Sequence, residues 1–237
     1  MNPHEVTRAP HAVAPDNCTS ASEWEVGKLF MKGTPEEEVG RGKLDKYETL
    51  RTIHQSIAPA VYLEIGVQKG FSLDLAQCTA IGVDPFPRTV AKSNQTIHAI
   101  TSDSFFSRDI KFKPDLVFID GLHLFEQTLM DFINCERICH TGSVIVMDDI
   151  FPAHPSQALR KRRTHKWAGD VWKVYEILKE YRPDLVLQPL DVNPTGLLMI
   201  SDLDPENTCL FENYCDITHK YTKLSVPESI LQREDLS

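Results

Sequence analysis

Apolar residues along the 237-residue chain gather in short runs instead of long stripes. From Val61 onward, runs rich in Val and Ile stop at Gly or Asp and are followed by segments with helical spacing. The first run, Val61-Tyr62-Leu63-Glu64-Ile65, leads through Gly66 to a helix predicted from about Gly70 to Cys78. The second, Ala80 to Asp84, closes on Pro85, and Ile97 to Ile100 makes a short third. Asp115 to Asp120 precedes a helix from about Leu124 to Cys139, on which Phe125, Leu129, Phe132, Ile133 and Ile138 recur at helical intervals. Ser143 to Met147 runs into Asp148-Asp149, and a further helix, roughly Ala168 to Tyr181, stops before Pro183. Upstream, Asp45 to Ile57 reads as a helix with Tyr47, Leu50 and Ile53 on one face.

The last two runs, Leu185 to Leu190 and Gly196 to Ile200, are separated by only Asp191 to Thr195. That link is too short for a parallel crossover, so these strands pair antiparallel. The pattern predicts an α/β fold, doubly wound and Rossmann-like, with a mostly parallel seven-stranded sheet and a reversed C-terminal hairpin. Residues 1–44 are expected to form an N-terminal arm or lid, 45–201 the main domain and 202–237 a C-terminal extension.

Open parallel sheets bind ligands beyond the carboxyl ends of their strands, so the residues after each strand carry the information. After the first comes Glu64-Ile65-Gly66-Val67-Gln68-Lys69-Gly70, an E-x-G-x-x-x-G loop. Its glycines allow close backbone approach to a ligand. It is not the G-x-G-x-x-G of dinucleotide binders, which counts against a nicotinamide enzyme. Asp84 follows the second strand, 18 residues after Gly66. Its carboxylate suits both hydroxyls of a ribose, although alone it reads equally as a turn residue before Pro85.

Three further carboxylates, Asp120, Asp148 and Asp149, end the fourth and fifth strands. Neighbouring strands lie about 5 Å apart, so these groups converge and repel unless something compensates them. A divalent cation does so, and oxygen-only ligands suit Mg²⁺ or a similar hard ion. The plainer reading makes Asp120-Gly121 a turn and Asp148-Asp149 a helix cap.

Leu63-Glu64-Ile65-Gly66, Ile81-Gly82-Val83-Asp84 and Asp115-Leu116-Val117-Phe118-Ile119-Asp120-Gly121 resemble successive motifs of class I S-adenosylmethionine-dependent methyltransferases, from about residue 58 to 201. The resemblance implies S-adenosylmethionine as cofactor. Glu64, Gly66, Gly70 and Ser72 would belong to the loop around its methionine part, and Asp84 would hold the ribose. Ser102 and Asp103 would flank the adenine, unless they merely cap the helix before Phe105-Phe106, and Asp120 would border the cofactor as well as the metal. Asp120-Gly121-Leu122-His123 is similar to the segment of metal-dependent sugar O-methyltransferases of macrolide and aminocoumarin biosynthesis. There the aspartate binds metal and the histidine acts as base, which makes His123 the catalytic candidate. Catechol-type O-methyltransferases usually carry lysine at the place of His123 and asparagine at that of Asp149, so this chain sides with the sugar branch. The additional glutamate ligand of some macrolide enzymes has no match here.

The expected activity is therefore metal-dependent methylation of a sugar or glycoside hydroxyl. The chemistry is consistent, because a metal and a nearby imidazole together make an aliphatic hydroxyl a usable nucleophile at neutral pH. A rate limb near the ordinary imidazole pKa is then expected. A metal-independent small-molecule methyltransferase of natural-product metabolism and a noncatalytic cofactor binder are the competing readings.

Composition narrows the partners. A formal charge of −9 argues against a nucleic-acid partner, Arg160-Lys161-Arg162-Arg163 notwithstanding. No apolar run reaches the ~20 residues of a membrane helix and no signal-like segment opens the chain, so no membrane partner and a cytoplasmic location are expected. A small-molecule or glycan acceptor remains, and homo-oligomerisation stays open. Cys135 and Cys139 share a helix face but lack the companions of a zinc site.

Overall fold

The computed structural model describes residues 33–236; residues 1–32 of the expected arm or lid lie outside the described residues. In chain order the elements are β1 (Leu44–Asp45), α1 (Lys46–Ile57), β2 (Val61–Ile65), β3 (Thr79–Val83), β4 (Gln95–His98), α2 (Ser102–Phe106), β5 (Leu116–Ile119), α3 (Phe125–Ile138), β6 (Val144–Asp148), α4 (Trp172–Tyr181), β7 (Val186–Leu190), β8 (Val192–Asn193) and β9 (Leu197–Ser201). Three short helices follow: α5 (Cys209–Glu212), α6 (Tyr214–Thr222) and α7 (Glu228–Gln232).

The main sheet has seven strands in the order β4-β3-β2-β5-β6-β9-β7. Neighbours from β4 to β6 are parallel, and β9 runs antiparallel to both β6 and β7. This is the expected doubly wound sheet with its reversed C-terminal hairpin. The inner strands read as near-continuous apolar runs because both their faces are covered. Alternate residues divide between the faces: Leu63, Ile65, Val117 and Ile119 join the larger core cluster with α3 and α4. Tyr62, Leu116 and Phe118 join a smaller one with Leu50 and Ile53 of α1.

Three sequence expectations need correction. The helix drawn from Gly70 to Cys78 is a single 3₁₀ turn over Leu73–Leu75. Gly70 starts the segment at a φ of 75°, Ser72 turns inward to Glu64, and Asp74 is tied to Lys92 and Gln95. Those side-chain ties compete with regular helix. The third strand lies two residues earlier than Ile97 to Ile100, and no helix links it to β3, where Pro85 and Pro87 remove backbone donors. Tyr47 does not bury with Leu50 and Ile53; it stands 38% exposed, edge-on to Phe71.

The segment after Ser201, which carries no readable period, packs on the main core through Leu203, Leu210, Tyr214, Ile217, Tyr221 and Ile230. Arg182 anchors it. Its guanidinium donates to both oxygens of Glu136 at 2.6 and 2.9 Å, and Glu136 also accepts from the Asp204 N–H at 3.1 Å. This cover explains why α3 is buried on nearly every side.

Residues 33–43 are also strapped down. Glu38 accepts from the N–H groups of His165 and Lys166, Glu37 from the Ser156 hydroxyl, and the Gln157 amide donates to the carbonyls of Glu37 and Val39. Arg41 reaches the Leu231 carbonyl.

Candidate active site

The carboxyl ends of β2, β3, β5 and β6 meet at one edge of the sheet. Gly66 leaves β2 with a φ of 92°, and a Cβ there would lie 1.8 Å from the Asp120 carbonyl oxygen. Only glycine lets the two loops approach so closely. Gly70 closes the loop at a φ of 75°, where a Cβ would meet Thr89 at 2.8 Å.

Glu64 and Ser72 come together beneath that loop. Glu64 is fully buried and accepts from the hydroxyls of Tyr62 and Ser72, each at 2.7 Å. Burial pushes its pKa up to about 8. Asp84, just beyond β3, accepts from the Phe86 N–H at 2.6 Å and from the Gln68 N–H at 2.8 Å. It therefore ties the end of β3 to the glycine loop, and a carboxylate has lone pairs left for a ligand hydroxyl.

Ser102 and Asp103 open α2, but the cap is Thr101, which accepts from the Ser104 N–H. Gln127 of α3 gathers them: its amide donates to Ser102 Oγ, Asp103 Oδ1 and Asp131 Oδ1 at 3.1–3.2 Å. Asp131 is buried, and burial raises its pKa to about 7. Sequence reading missed Gln127 and Asp131, because a helix that also carries Glu126, Thr128, Asn134, Glu136 and Arg137 does not single out this i, i+4 pair.

The second cluster contains Asp120, His123, Asp148 and Asp149. Asp148 ends β6 and Asp149 follows it with a φ of 66°, left-handed backbone that a non-glycine residue holds only when its surroundings impose it. His123 Nδ1 lies 2.7 Å from the Trp167 carbonyl oxygen and 3.0 Å from Asp149 Oδ2, so this nitrogen carries the proton both contacts require. Nε2 faces Asp120 Oδ1 at 3.7 Å. The ring is held flat against Trp167, with centroids 4.9 Å apart and an 8° interplanar angle. Gly169 passes so close that a Cβ there would sit 1.8 Å from the His123 carbonyl oxygen. Asp170 secures the far side of the loop by accepting from the Phe125 N–H.

Sequence reading missed one member altogether. Lys46, the first residue of α1, extends its ammonium between the carboxylates, donating to Asp120 Oδ2 at 2.8 Å and to Asp148 Oδ2. Burial opposes its charge, but Asp120 and Asp148 outweigh burial and raise its pKa well above the ordinary range. Asp120 is held low despite burial, chiefly by Lys46 and His123. Burial, with the neighbouring Asp149 and Asp120 charges, drives Asp148 up. Burial would lower the pKa of His123, yet Asp149 and then Asp120 overcome it and bring it to about 9.

Among the described residues, ligand atoms of Asp120, His123 and Asp149 lie within 4.8 Å of one another, close enough to share a metal ion. They line a cavity of about 10 Å³ together with Asp148, Thr128 and Val171, room for one water-sized species. Carboxylate oxygens and one imidazole around such a space fit a hard divalent ion. Asp148 is the exception, since Lys46 already occupies it. A larger open cleft of about 560 Å³ lies elsewhere, beside α4 and β7, where Lys179 and Arg182 already pair with Asp235 and Glu136.

A family model described as a methyltransferase domain matches residues 63–150, the stretch from β2 to just past β6. No curated protein matches the chain. Among solved structures, cofactor-bound Rv0187 from MTB is 16% identical, with a TM-score of 0.53 over 72% of this chain and 85% of its own. A candidate O-methyltransferase from Klebsiella pneumoniae is 14% identical, with a TM-score of 0.51 over 67% and 80%. The S-adenosylhomocysteine-bound methyltransferase PaMTH1 of Podospora anserina is 12% identical, with a TM-score of 0.50 over 67% and 78%. No described helix is long and apolar enough to cross a membrane. The methyltransferase-domain match over residues 63–150 thus lies on a fold shared with a solved methyltransferase and a candidate O-methyltransferase.

Proposed function

We propose that the chain transfers a methyl group from S-adenosylmethionine to a hydroxyl of a sugar or glycoside, with a divalent cation at Asp120, Asp148 and Asp149 and His123 as base. The observation that carries this reading is one juxtaposition at the sheet edge. The glycine loop touches the Asp120 loop, and Asp120 lies between that loop and the His123–Asp149 pair. In this reading Gly66 and Gly70 with Glu64 and Ser72 shape the methionine end of the cofactor site. Asp84 takes the ribose hydroxyls, and Ser102 and Asp103 border the adenine.

The sulfonium is already a strong electrophile, so the protein's task is alignment and removal of the acceptor proton. Because Trp167 and Asp149 hold Nδ1–H of His123, Nε2 is the nitrogen left to accept that proton. A bound divalent ion would supply charge stabilisation for the developing alkoxide. Adjacent sugar hydroxyls suit such a centre because both oxygens can reach one hard ion. The Lys46 ammonium inside the carboxylates favours a second reading, metal-independent methylation of another small molecule.

Calorimetry tests the cofactor half. Asp84→Ala is expected to weaken S-adenosylhomocysteine binding by about 1.5–3 kcal/mol for each charged hydrogen bond lost. Wild-type affinity in a folded variant removes Asp84 from the site. Methyl transfer from labelled cofactor to a panel of glycosides tests the acceptor class, and transfer only to non-sugar hydroxyls rejects it.

A further inference from the structure

Lys46 is absent from every sequence motif, yet it is the cation nearest the carboxylates. Its ammonium takes Oδ2 of both Asp120 and Asp148, carboxylates that the metal reading also uses. Beneath it lies the Phe118 ring, 5.3 Å from centroid to Nζ, a second attraction holding the charge in place.

The backbone that presents Lys46 is fixed on three counts. Asp45 caps α1 by accepting from the N–H groups of Tyr47 and Glu48. β1 pairs with β8, and the N–H groups of Lys43 and Leu44 both donate to the Asp191 carbonyl. Gly42 runs against Val192 and Asn193 so closely that a Cβ would lie 2.3 Å from their backbone. Lys46 can therefore leave the carboxylates by turning its side chain, not by withdrawal of the chain.

With the ammonium in place, Asp120 Oδ1 and Asp149 are the carboxylate oxygens left to a metal, beside the His123 ring whose Nε2 serves as base. A hard ion seeks about six ligands and meets a positive charge already seated on two of its oxygens. The cavity of about 10 Å³ among Asp120, His123, Asp148 and Asp149 has no room for a hydrated ion.

We infer that Lys46 is a built-in counter-cation that competes with divalent metal for Asp120 and Asp148, so that full metal ligation requires its ammonium to swing out. This rests on the metal reading of the carboxylate centre. It makes metal occupancy depend on a residue held by the β1–β8 strap, and it explains how three clustered carboxylates, two of them buried, stay compatible with a folded metal-free protein.

Mn²⁺ titrated into the full chain by calorimetry provides the test, with wild type, Lys46→Met and Lys46→Arg compared. Lys46→Met is expected to bind Mn²⁺ at least about tenfold more tightly than wild type. Lys46→Arg, which keeps the charge, is expected to stay near wild type. Equal or weaker binding by Lys46→Met overturns the inference. If that variant does not fold, amine footprinting of wild type with acetic anhydride decides: Lys46 should become more reactive when Mn²⁺ saturates the protein. Unchanged reactivity in the loaded protein also overturns it.

The two readings fail separately. Tight Mn²⁺ binding by Lys46→Met, with wild-type turnover untouched by chelator, supports the competition and rejects metal-dependent catalysis. Metal-dependent turnover with equal Mn²⁺ affinity in wild type and Lys46→Met does the reverse. No Mn²⁺ binding by any folded variant rejects both.

Discussion

Exhaustive chelation is expected to abolish methyl transfer, and added Mg²⁺ to restore it, while S-adenosylhomocysteine binding changes little. The division follows from where the groups sit. The proposed cofactor contacts run along the ends of β2 and β3 and the start of α2, through Gly66, Asp84, Ser102 and Asp103, and none of these touches Asp149. The metal candidates lie at the ends of β5 and β6, beside His123. Removing an ion there strips charge stabilisation from the acceptor oxygen and leaves the ribose contact in place. Turnover assayed in excess chelator, with parallel calorimetry of cofactor binding, measures both halves. Full turnover under chelation would transfer the electrostatic role to Lys46 and favour the metal-independent reading. Equal loss of cofactor binding would mean that the two sites are one, most directly through Asp120, whose loop touches Gly66.

What could be read in the sequence divides along physical lines. Strands buried on both faces leave near-continuous apolar runs, so β2, β5, β6 and β9 were legible almost to the residue, while the exposed edge strand β7 was placed by its short link to β9. Strand-end acids were legible for a related reason: Asp120, Asp148 and Asp149 stand where an apolar run stops abruptly. Lys46 was not, because a lysine in the first turn of a helix resembles any solvated residue. The β1–β8 pairing, a contact between residues some 150 positions apart, together with the packing of Leu50 and Ile53 on the sheet, brings it over the ends of β5 and β6. Trp167 was legible only as one of the aromatic and cationic residues between Phe151 and Gly169, a segment that follows the metal loop and reads either as bordering the acceptor or as a plain connection. Its stacking behind His123 emerges only in the fold. The Gly70 to Cys78 segment shows the opposite error, helical spacing overridden by the hydrogen bond Ser72 donates to Glu64 and the one Asp74 accepts from Gln95.

His123→Ala is expected to lower kcat by about 10²–10⁴-fold, the usual contribution of a general base, with cofactor affinity nearly unchanged. The structure moves the accompanying pH dependence. A limb near the ordinary imidazole value of ~6.5 follows from the sequence alone, but Asp149 and Asp120 lift His123 to about 9 in the metal-free protein. Since the neutral ring is the base, the rate should rise with pH along a limb between those two values. It should lie nearer the lower one as a bound cation offsets the carboxylate charges. The linkage to stability has the opposite sign: a pKa raised on folding stabilises fully below about 6.5 and loses that contribution as pH climbs through about 9. Metal-free wild type should therefore lose thermal stability across that window, and His123→Ala should show a flatter profile. An NMR titration of the imidazole locates the pKa directly. His123→Ala with near-normal kcat would place the base elsewhere. Wild-type turnover that is flat with pH, although the ring titrates near 9, would leave His123 as scaffold between Trp167 and Asp149.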